Sequence, residues 1–288
     1  MPALEERNLE LMAESVPNRQ KRFLVRTFYL FTPLSAAKIA DLFERYQEMG
    51  RQLELSGALI LSPEGLNATV AGSPEATDDF FHALQTEFPS LVKQDSSSHF
   101  HPFKRWRVLR RDTLVQGRDP KLCPDKNHTG QKSPEEWDEV RRMVAEGRAQ
   151  MVDVRNAYEI QIGTFPEALD PGTSSFKEFS EFLDREVGES LDPDLPTAIF
   201  CTGGIRCEKA RIDLERRGFN RVWQLKGGIL NYLKEKPEVG FEGECFVFDL
   251  RIAVDHSLSP TTTYKCCPVC GGATPIDGKQ HQCTRKEV

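Results

Sequence analysis

One stretch constrains this chain more than any other: Thr197-Ala-Ile-Phe-Cys201-Thr-Gly-Gly-Ile-Arg206-Cys-Glu-Lys-Ala-Arg211. Ala198, Ile199 and Phe200 form a short apolar run suited to a buried strand, and residues Arg206 to Arg217 are helix formers that stop at Gly218. A strand that passes through Cys201-Thr-Gly-Gly into a helix leaves the cysteine at the strand's carboxyl end. Gly203 and Gly204 tolerate positive φ, so successive backbone N–H groups can turn inward as an anion cradle at the helix N-terminus. Such a cradle favours thiolate over thiol. Helix N-termini and nearby cations bring a cysteine pKa from about 8.5 into the range of about 3.5 to 7.5, and Arg206 is the candidate cation. The alternative, a buried structural cysteine before an ordinary βα turn, is disfavoured by the two glycines and the arginine.

Around that stretch, strands and helices alternate. Ser133-Pro134-Glu-Glu136 opens a helix to about Glu146, with a serine cap, proline at the first helical position and acids in the first turn. Strands are expected at Ala149 to Val154, Thr197 to Phe200 and Arg221 to Leu225, and helices at Phe176 to Arg185, Arg206 to Arg217 and Ile229 to Lys234. This order predicts a parallel sheet covered on both faces, whose reactive groups gather at the strands' carboxyl ends. Cys201, the pair Asp153 and Arg155, and Lys226-Gly-Gly228 each lie at such an end. Asp153 with Arg155 reads first as a structural ion pair.

At 288 residues there is room for a second domain, and 39% hydrophobic content can fill two cores. Residues 1–22 read as a polar leader without an apolar signal core, no stretch approaches a membrane span, and a cytoplasmic location is the expectation. From Phe23 the pattern is strand to Phe31, helix from Ser35 to Met49, strand from Leu53 to Leu61, a turn at Ser62-Pro-Glu-Gly65, strand from Asn67 to Ala71, and helix from Pro74 to Phe88. A last strand is expected at Arg105 to Arg110. The order βαββαβ over residues 23–117 is the ferredoxin-like α+β arrangement. Residues 118–133, including Cys123 and His128, read as a linker, 134–240 as the α/β domain, and 241–288 as an extension with a cysteine cluster.

Asp153-Val-Arg155, Glu159, Gly163, the loop from Cys201 to Arg206 and Gly227-Gly228 stand in the order found in rhodanese domains, which this region resembles. The resemblance implies a loop cysteine that becomes a persulfide held by loop amides. Related phosphatases place five residues between Cys and Arg; this loop has one fewer, which favours sulfur-sized occupancy. The longer string Cys201-Thr-Gly-Gly-Ile-Arg-Cys-Glu-Lys-Ala210, with Pro63-Glu-Gly-Leu-Asn67, Phe103-Lys-Arg105, Pro134-Glu-Glu-Trp137 and Gly243-Glu-Cys-Phe-Val-Phe-Asp249, resembles the tRNA uridine(34) hydroxylase (UPF0176) family. What this implies is an oxidoreductase that forms 5-hydroxyuridine at the wobble position, with tRNA as partner, molecular oxygen as co-substrate and Cys201 as the catalytic residue on the active-site loop Thr202, Gly203, Gly204, Ile205 and Arg206. The departures are Leu66 and Ala68, mild changes in the turn after the second strand; Thr164 where a histidine is commoner, so no histidine-dependent role is carried over there; and a C-terminal end, His281-Gln-Cys283-Thr-Arg285, where a second Cys-x-x-Cys pair is commoner. No two-His-one-carboxylate set, no haem motif and no dinucleotide-binding glycine fingerprint is present, so the residues identify no organic cofactor and no catalytic metal. A sulfurtransferase carrying a cysteine persulfide is the competing enzyme, and a catalytically idle regulatory module a third reading that the intact loop disfavours.

Net charge is -6, so RNA binding would need a local basic surface. Phe100 to Arg111 supplies one, with Lys104, Arg105, Arg107, Arg110 and Arg111 and no acid. In a strand, Arg105, Arg107 and Arg111 share a face opposite Trp106 and Val108, and with a tRNA substrate implied Lys104, Arg105, Arg107 and Arg111 become phosphate-binding candidates. A solvated edge strand is the alternative. Eight cysteines in a reducing compartment read as thiols or ligands. Cys267 and Cys270 have the spacing of half a tetrahedral zinc site, which Cys283 with Cys266 or His281 could complete; a reduced tail fits equally well. Cys245 reads as core, and Cys207 as either a resolving thiol or a packed one.

Overall fold

The structure, a computed structural model, describes residues 22–117, 119, 124, 130–237, 240–269 and 272–278. The leader up to residue 21, Cys123 and His128 of the linker, and Cys270, His281 and Cys283 of the tail lie outside the described residues.

The first domain comprises β1 (Phe23–Phe31), α1 (Ala36–Gln52), β2 (Ser56–Ser62), β3 (Gly65–Gly72), α2 (Pro74–Glu87), β4 (Val92–Ser98) and β5 (Trp106–Arg110). Its sheet runs β4-β1-β3-β2-β5; all pairs are antiparallel except β2 with β5. The first four strands are the ferredoxin-like set. Both helices begin with a serine whose hydroxyl accepts a backbone N–H, Ser35 from Lys38 and Ser73 from Ala76. They bury Leu42, Tyr46, Phe80, Phe81 and Leu84 against Phe28, Leu59 and Val70 of the sheet.

The fourth strand of the ferredoxin set is not Arg105 to Arg110 but β4, with sequence Val-Lys-Gln-Asp-Ser-Ser-Ser. It is an edge strand without apolar alternation, so periodicity does not report it. The Arg105 to Arg110 region is an added strand on the opposite edge. Trp106 seats it: the indole donates to the Tyr46 carbonyl at 3.2 Å and meets Phe80 edge-on. Only glycine fits beneath, because a Cβ on Gly50 would lie 2.3 Å from the indole.

The second domain continues with β6 (Gln131–Lys132), α3 (Pro134–Ala145), β7 (Gln150–Asp153), α4 (Ala157–Ile160), β8 (Gly163–Thr164), α5 (Phe179–Glu186), β9 (Thr197–Phe200), α6 (Ile205–Glu215), β10 (Val222–Leu225) and α7 (Gly228–Glu235). Its sheet, in order β6-β10-β9-β7, is entirely parallel, as the alternation of elements requires. The end of the expected linker thus enters the sheet as β6. Alternation along β9 sends Ala198 and Phe200 to one core with Trp137, Phe165 and Tyr232, and Ile199 and Cys201 to the other with Phe179, Leu183 and Leu214. The following segment forms β11 (Glu242–Gly243), paired with β8, then β12 (Cys245–Phe246), β13 (Ala253–Val254), β14 (Tyr264–Cys266) and β15 (Ala273–Pro275). Phe241, Cys245, Val247 and Val254 fill the same core as Trp137 and Phe165, so this segment packs as part of the parallel-sheet domain.

Candidate active site at the Cys201 loop

Cys201 follows β9, and the chain turns through Thr202, Gly203 and Gly204 into α6, which Ile205 begins. Gly204 has φ 97, a left-handed conformation that a residue with a Cβ resists. The turn directs the Gly204 N–H to the Cys201 sulfur at 3.1 Å. Burial pushes the Cys201 thiol pKa up. That effect is outweighed by the neighbouring Cys207 side chain, the positive charge of Arg206 and the N–H groups of Cys207 and Arg206, which bring it down to about 6. At neutral pH the sulfur is therefore a thiolate. Burial, together with the neighbouring Cys201, pushes the Cys207 thiol well above the usual thiol range. With 1% of the residue exposed, the sulfur faces the interior of its loop rather than open solvent.

Arg206 is itself held. Its guanidinium donates to both oxygens of Glu159, at 2.5 and 2.7 Å, and lies 3.4 Å from the Thr202 hydroxyl. Glu159 is placed by α4, where its carboxylate also accepts the Asn156 N–H at 3.1 Å. Burial would raise the Glu159 pKa, but Arg206 and then Arg155 hold it below the usual carboxylate range. Sequence reasoning placed Glu159 in the rhodanese pattern without giving it a partner; a carboxylate among apolar residues was the available signal.

Asp153 and Arg155 form a fully buried pair with contacts of 2.6 to 3.1 Å. Arg155 also donates to the Gly163 carbonyl at 2.6 Å, and the Thr164 hydroxyl donates to Asp153 at 2.8 Å. These contacts tie β7 to β8 and make no contact with the Cys201 sulfur.

The first domain covers one side of the loop. Tyr29 of β1 donates to Glu208 at 3.1 Å, and Gln94 of β4 donates to the Gly227 carbonyl and, at 3.5 Å, to that of Gly203. Lys209, wholly buried, reaches across to Glu64 at 2.6 Å and to the Val115 carbonyl at 3.1 Å. The second Glu64 oxygen accepts the Leu114 N–H at 2.9 Å. The residues that make Cys201-Thr-Gly-Gly-Ile-Arg-Cys-Glu-Lys longer than a bare loop, Glu208 and Lys209, thus dock it onto the first domain. Tyr29, Gln94 and Glu64 were not singled out from the sequence, although Glu64 lies within Pro63-Glu-Gly-Leu-Asn67.

The basic stretch divides. Lys104, Arg105 and Arg107 line a groove of about 520 Å³ between β5 and the segment after β12, whereas Arg111 lies beyond the end of β5, outside it. Arg110 points the other way, its guanidinium 4.3 Å from the centroid of Phe43. Cys266 ends β14 and Cys267 follows it; among the described residues, no three His, Cys, Asp or Glu side chains are placed to hold a metal ion. Among the described residues, no helix is long and apolar enough to cross a membrane.

Two family models match the chain, the UPF0176 acylphosphatase like domain over residues 23–114 and the rhodanese-like domain over residues 136–235. A tRNA uridine(34) hydroxylase from Bdellovibrio bacteriovorus is 38% identical over 269 residues, covering 92% of this chain and 75% of the relative. One from Picosynechococcus is 38% identical, covering 93% and 88%, and one from Acinetobacter baumannii is 40% identical, covering 81% and 73%. A ferredoxin-like domain docked onto a rhodanese loop, and likeness of this extent along almost the whole chain, lead to one conclusion: the chain belongs to the tRNA uridine(34) hydroxylase family.

Proposed function

We propose that this protein hydroxylates C5 of the wobble uridine in tRNA, with molecular oxygen as co-substrate and Cys201 as the catalytic thiolate. The observation that carries the reading is the Cys201 sulfur, which accepts the Gly204 N–H at 3.1 Å on a loop whose Arg206 is fixed by Glu159, in a chain whose relatives bear the hydroxylase name. Replacing the C5 hydrogen by hydroxyl consumes one dioxygen, two electrons and two protons and releases one water, so a two-electron reductant must accompany oxygen. Arg206 holds negative charge at the sulfur, Glu159 fixes the guanidinium, and Thr202, Gly203, Gly204 and Ile205 shape the cradle. Lys104, Arg105 and Arg107 bind tRNA phosphates, with Arg111 reached by a longer stretch of RNA.

The test is Cys201→Ser, nearly isosteric but without the low-pKa nucleophile. Nucleoside mass spectrometry of tRNA from cells lacking the protein, complemented with either form, should find 5-hydroxyuridine with the wild type alone, while circular dichroism reports an intact fold. Full modification by a folded Cys201→Ser protein would remove the thiolate from the reaction. A persulfide carrier is the second reading, favoured by the Gly204 N–H lying 3.1 Å from a sulfur enclosed in a short loop. It predicts an intact-mass gain of one sulfur on Cys201 after incubation with thiosulfate.

A further inference from the structure

The groove that holds Lys104, Arg105 and Arg107 has a second wall of a different kind. Phe246 and Phe248 form it, opposite the basic residues and Ala58 of β2. Phe248 is 64% exposed and Leu250, on the same wall, 47%, an unusual investment of apolar surface beside three exposed cations. Among the described residues, no acid lies within ion-pair distance of Lys104, Arg105 or Arg107. Asp249, the one acid on the wall, is neutralised by Arg251, which donates to it at 2.6 and 2.8 Å.

The wall is rigid. Arg251 also donates to the Ser96 hydroxyl at 2.8 Å and the Ser97 carbonyl at 3.3 Å, and the Leu250 N–H donates to the Pro102 carbonyl at 2.8 Å, so the wall is fixed to the first domain at both points. Ile252 completes the turn at φ 66, a left-handed conformation that a β-branched residue adopts only when its surroundings impose it. Phe248 meets Phe246 edge-on, with centroids 5.2 Å apart, and the guanidinium of Arg206 lies 5.8 Å from its ring centroid. The aromatic wall therefore abuts the cation of the Cys201 loop.

We propose that this groove seats unpaired nucleotides of the RNA, with one base stacked on the open face of Phe248 and the flanking phosphates on Lys104, Arg105 and Arg107. A fixed, exposed aromatic ring opposite a row of unpaired cations is the arrangement that takes single-stranded nucleic acid. Every base offers a π-face to the ring, and the backbone offers its charge to the row. A duplex, whose bases are already stacked on each other, gains nothing from the ring. Phe248 is thus a positioning residue that selects an unpaired loop and brings it beside Arg206. This rests on the reading of the protein as an RNA-modifying enzyme.

The experiment compares the full-length wild type with Phe248→Ala and Phe248→Trp. The probes are an anticodon stem-loop RNA carrying 2-aminopurine at the wobble position and a blunt duplex RNA of equal charge, each titrated at several salt concentrations. Phe248→Ala should weaken stem-loop binding by about 5- to 150-fold. It should abolish the quenching of 2-aminopurine and leave both the duplex affinity and the salt slope unchanged; Phe248→Trp should restore binding and quenching. Unchanged stem-loop affinity in a folded Phe248→Ala protein, or an equal loss for duplex and stem-loop, overturns the proposal. Formation of 5-hydroxyuridine by the wild type, scored separately on unlabelled tRNA, keeps the two readings apart. Wild-type stacking without hydroxylation sinks the reaction and spares the groove, and hydroxylation without any Phe248 dependence does the reverse.

Discussion

The two edges of the first domain's sheet have opposite fates. β4, at one edge, is made of Lys, Gln, Asp and Ser and is drawn into the contact with the rhodanese domain, where Gln94 holds the Gly203 and Gly227 carbonyls and Ser96 accepts from Arg251. β5, at the other edge, turns Arg107, with Arg105 just before it, into an open groove, and is held from behind by Trp106 and by Gln47, which accepts the Val108 N–H. Both are polar edges, and exposed edges are commonly guarded by charge. The difference is in the kind of polarity. Short hydroxyls and an amide can be satisfied by backbone carbonyls inside an interface, whereas unpaired guanidinium groups would be costly to bury and are kept where an anion can reach them.

The largest effect is expected on the docked side, which extends from β4 to the turn at Glu64. Lys209→Ala strands a buried carboxylate and should cost about 3 to 5 kcal/mol in urea unfolding. The double substitution K209M/E64Q, which keeps an acceptor for the Leu114 N–H, should recover most of that loss. A Lys209→Ala protein of wild-type stability would mean the domains are not held at this point. On the open side, Gly50→Ala drives a methyl into the Trp106 ring and should cost about 1 to 3 kcal/mol. If it is neutral, β5 is seated by something other than that ring.

Gln94→Ala removes donors from two loop carbonyls and should cost about 1 to 3 kcal/mol. It should also disturb the loop that holds Cys201. In the wild type, iodoacetamide should alkylate Cys201 at a rate that follows the thiolate, half-maximal near pH 6 and falling below it. The same depression gives the folded state a stabilising contribution, present above the unfolded thiol's pKa and lost as pH falls towards 6. In Gln94→Ala the alkylation midpoint should move upward; an unmoved midpoint would show that docking does not tune the thiol.

The smallest expected effect on stability belongs to R105Q/R107Q, within about 0.5 kcal/mol, because among the described residues neither side chain has an ion-pair partner to lose. Its effect should fall on RNA instead. Each lost phosphate contact flattens the dependence of log K on log salt by about 0.7 to 0.9 units, with the Cys201 alkylation profile unchanged. Unchanged tRNA affinity and salt slope would make β5 a solvated edge after all.

The Cys201 loop and the strand–helix alternation behind the parallel sheet were legible in the sequence because each element is local, whereas β6, inside the expected linker, was not. An apolar run, two glycines and a run of helix formers define a strand, a turn and a helix start, and alternation of strands with helices implies parallel pairing. The sequence also determined the βαββ portion of the first domain, where caps and apolar periodicity coincide. Only the tertiary structure decided which strand completes that domain, since β4 carries no periodic apolar signal and is an edge by virtue of its neighbours. It likewise decided that Lys209 meets Glu64, 145 residues away in sequence, and that Phe248 stands beside Arg206. A charged side chain reads as solvent-exposed in a sequence until a distant partner neutralises it, and an aromatic one reads as core until the fold leaves its face open. Those assignments depend on which surfaces meet, and that is a property of the packed chain.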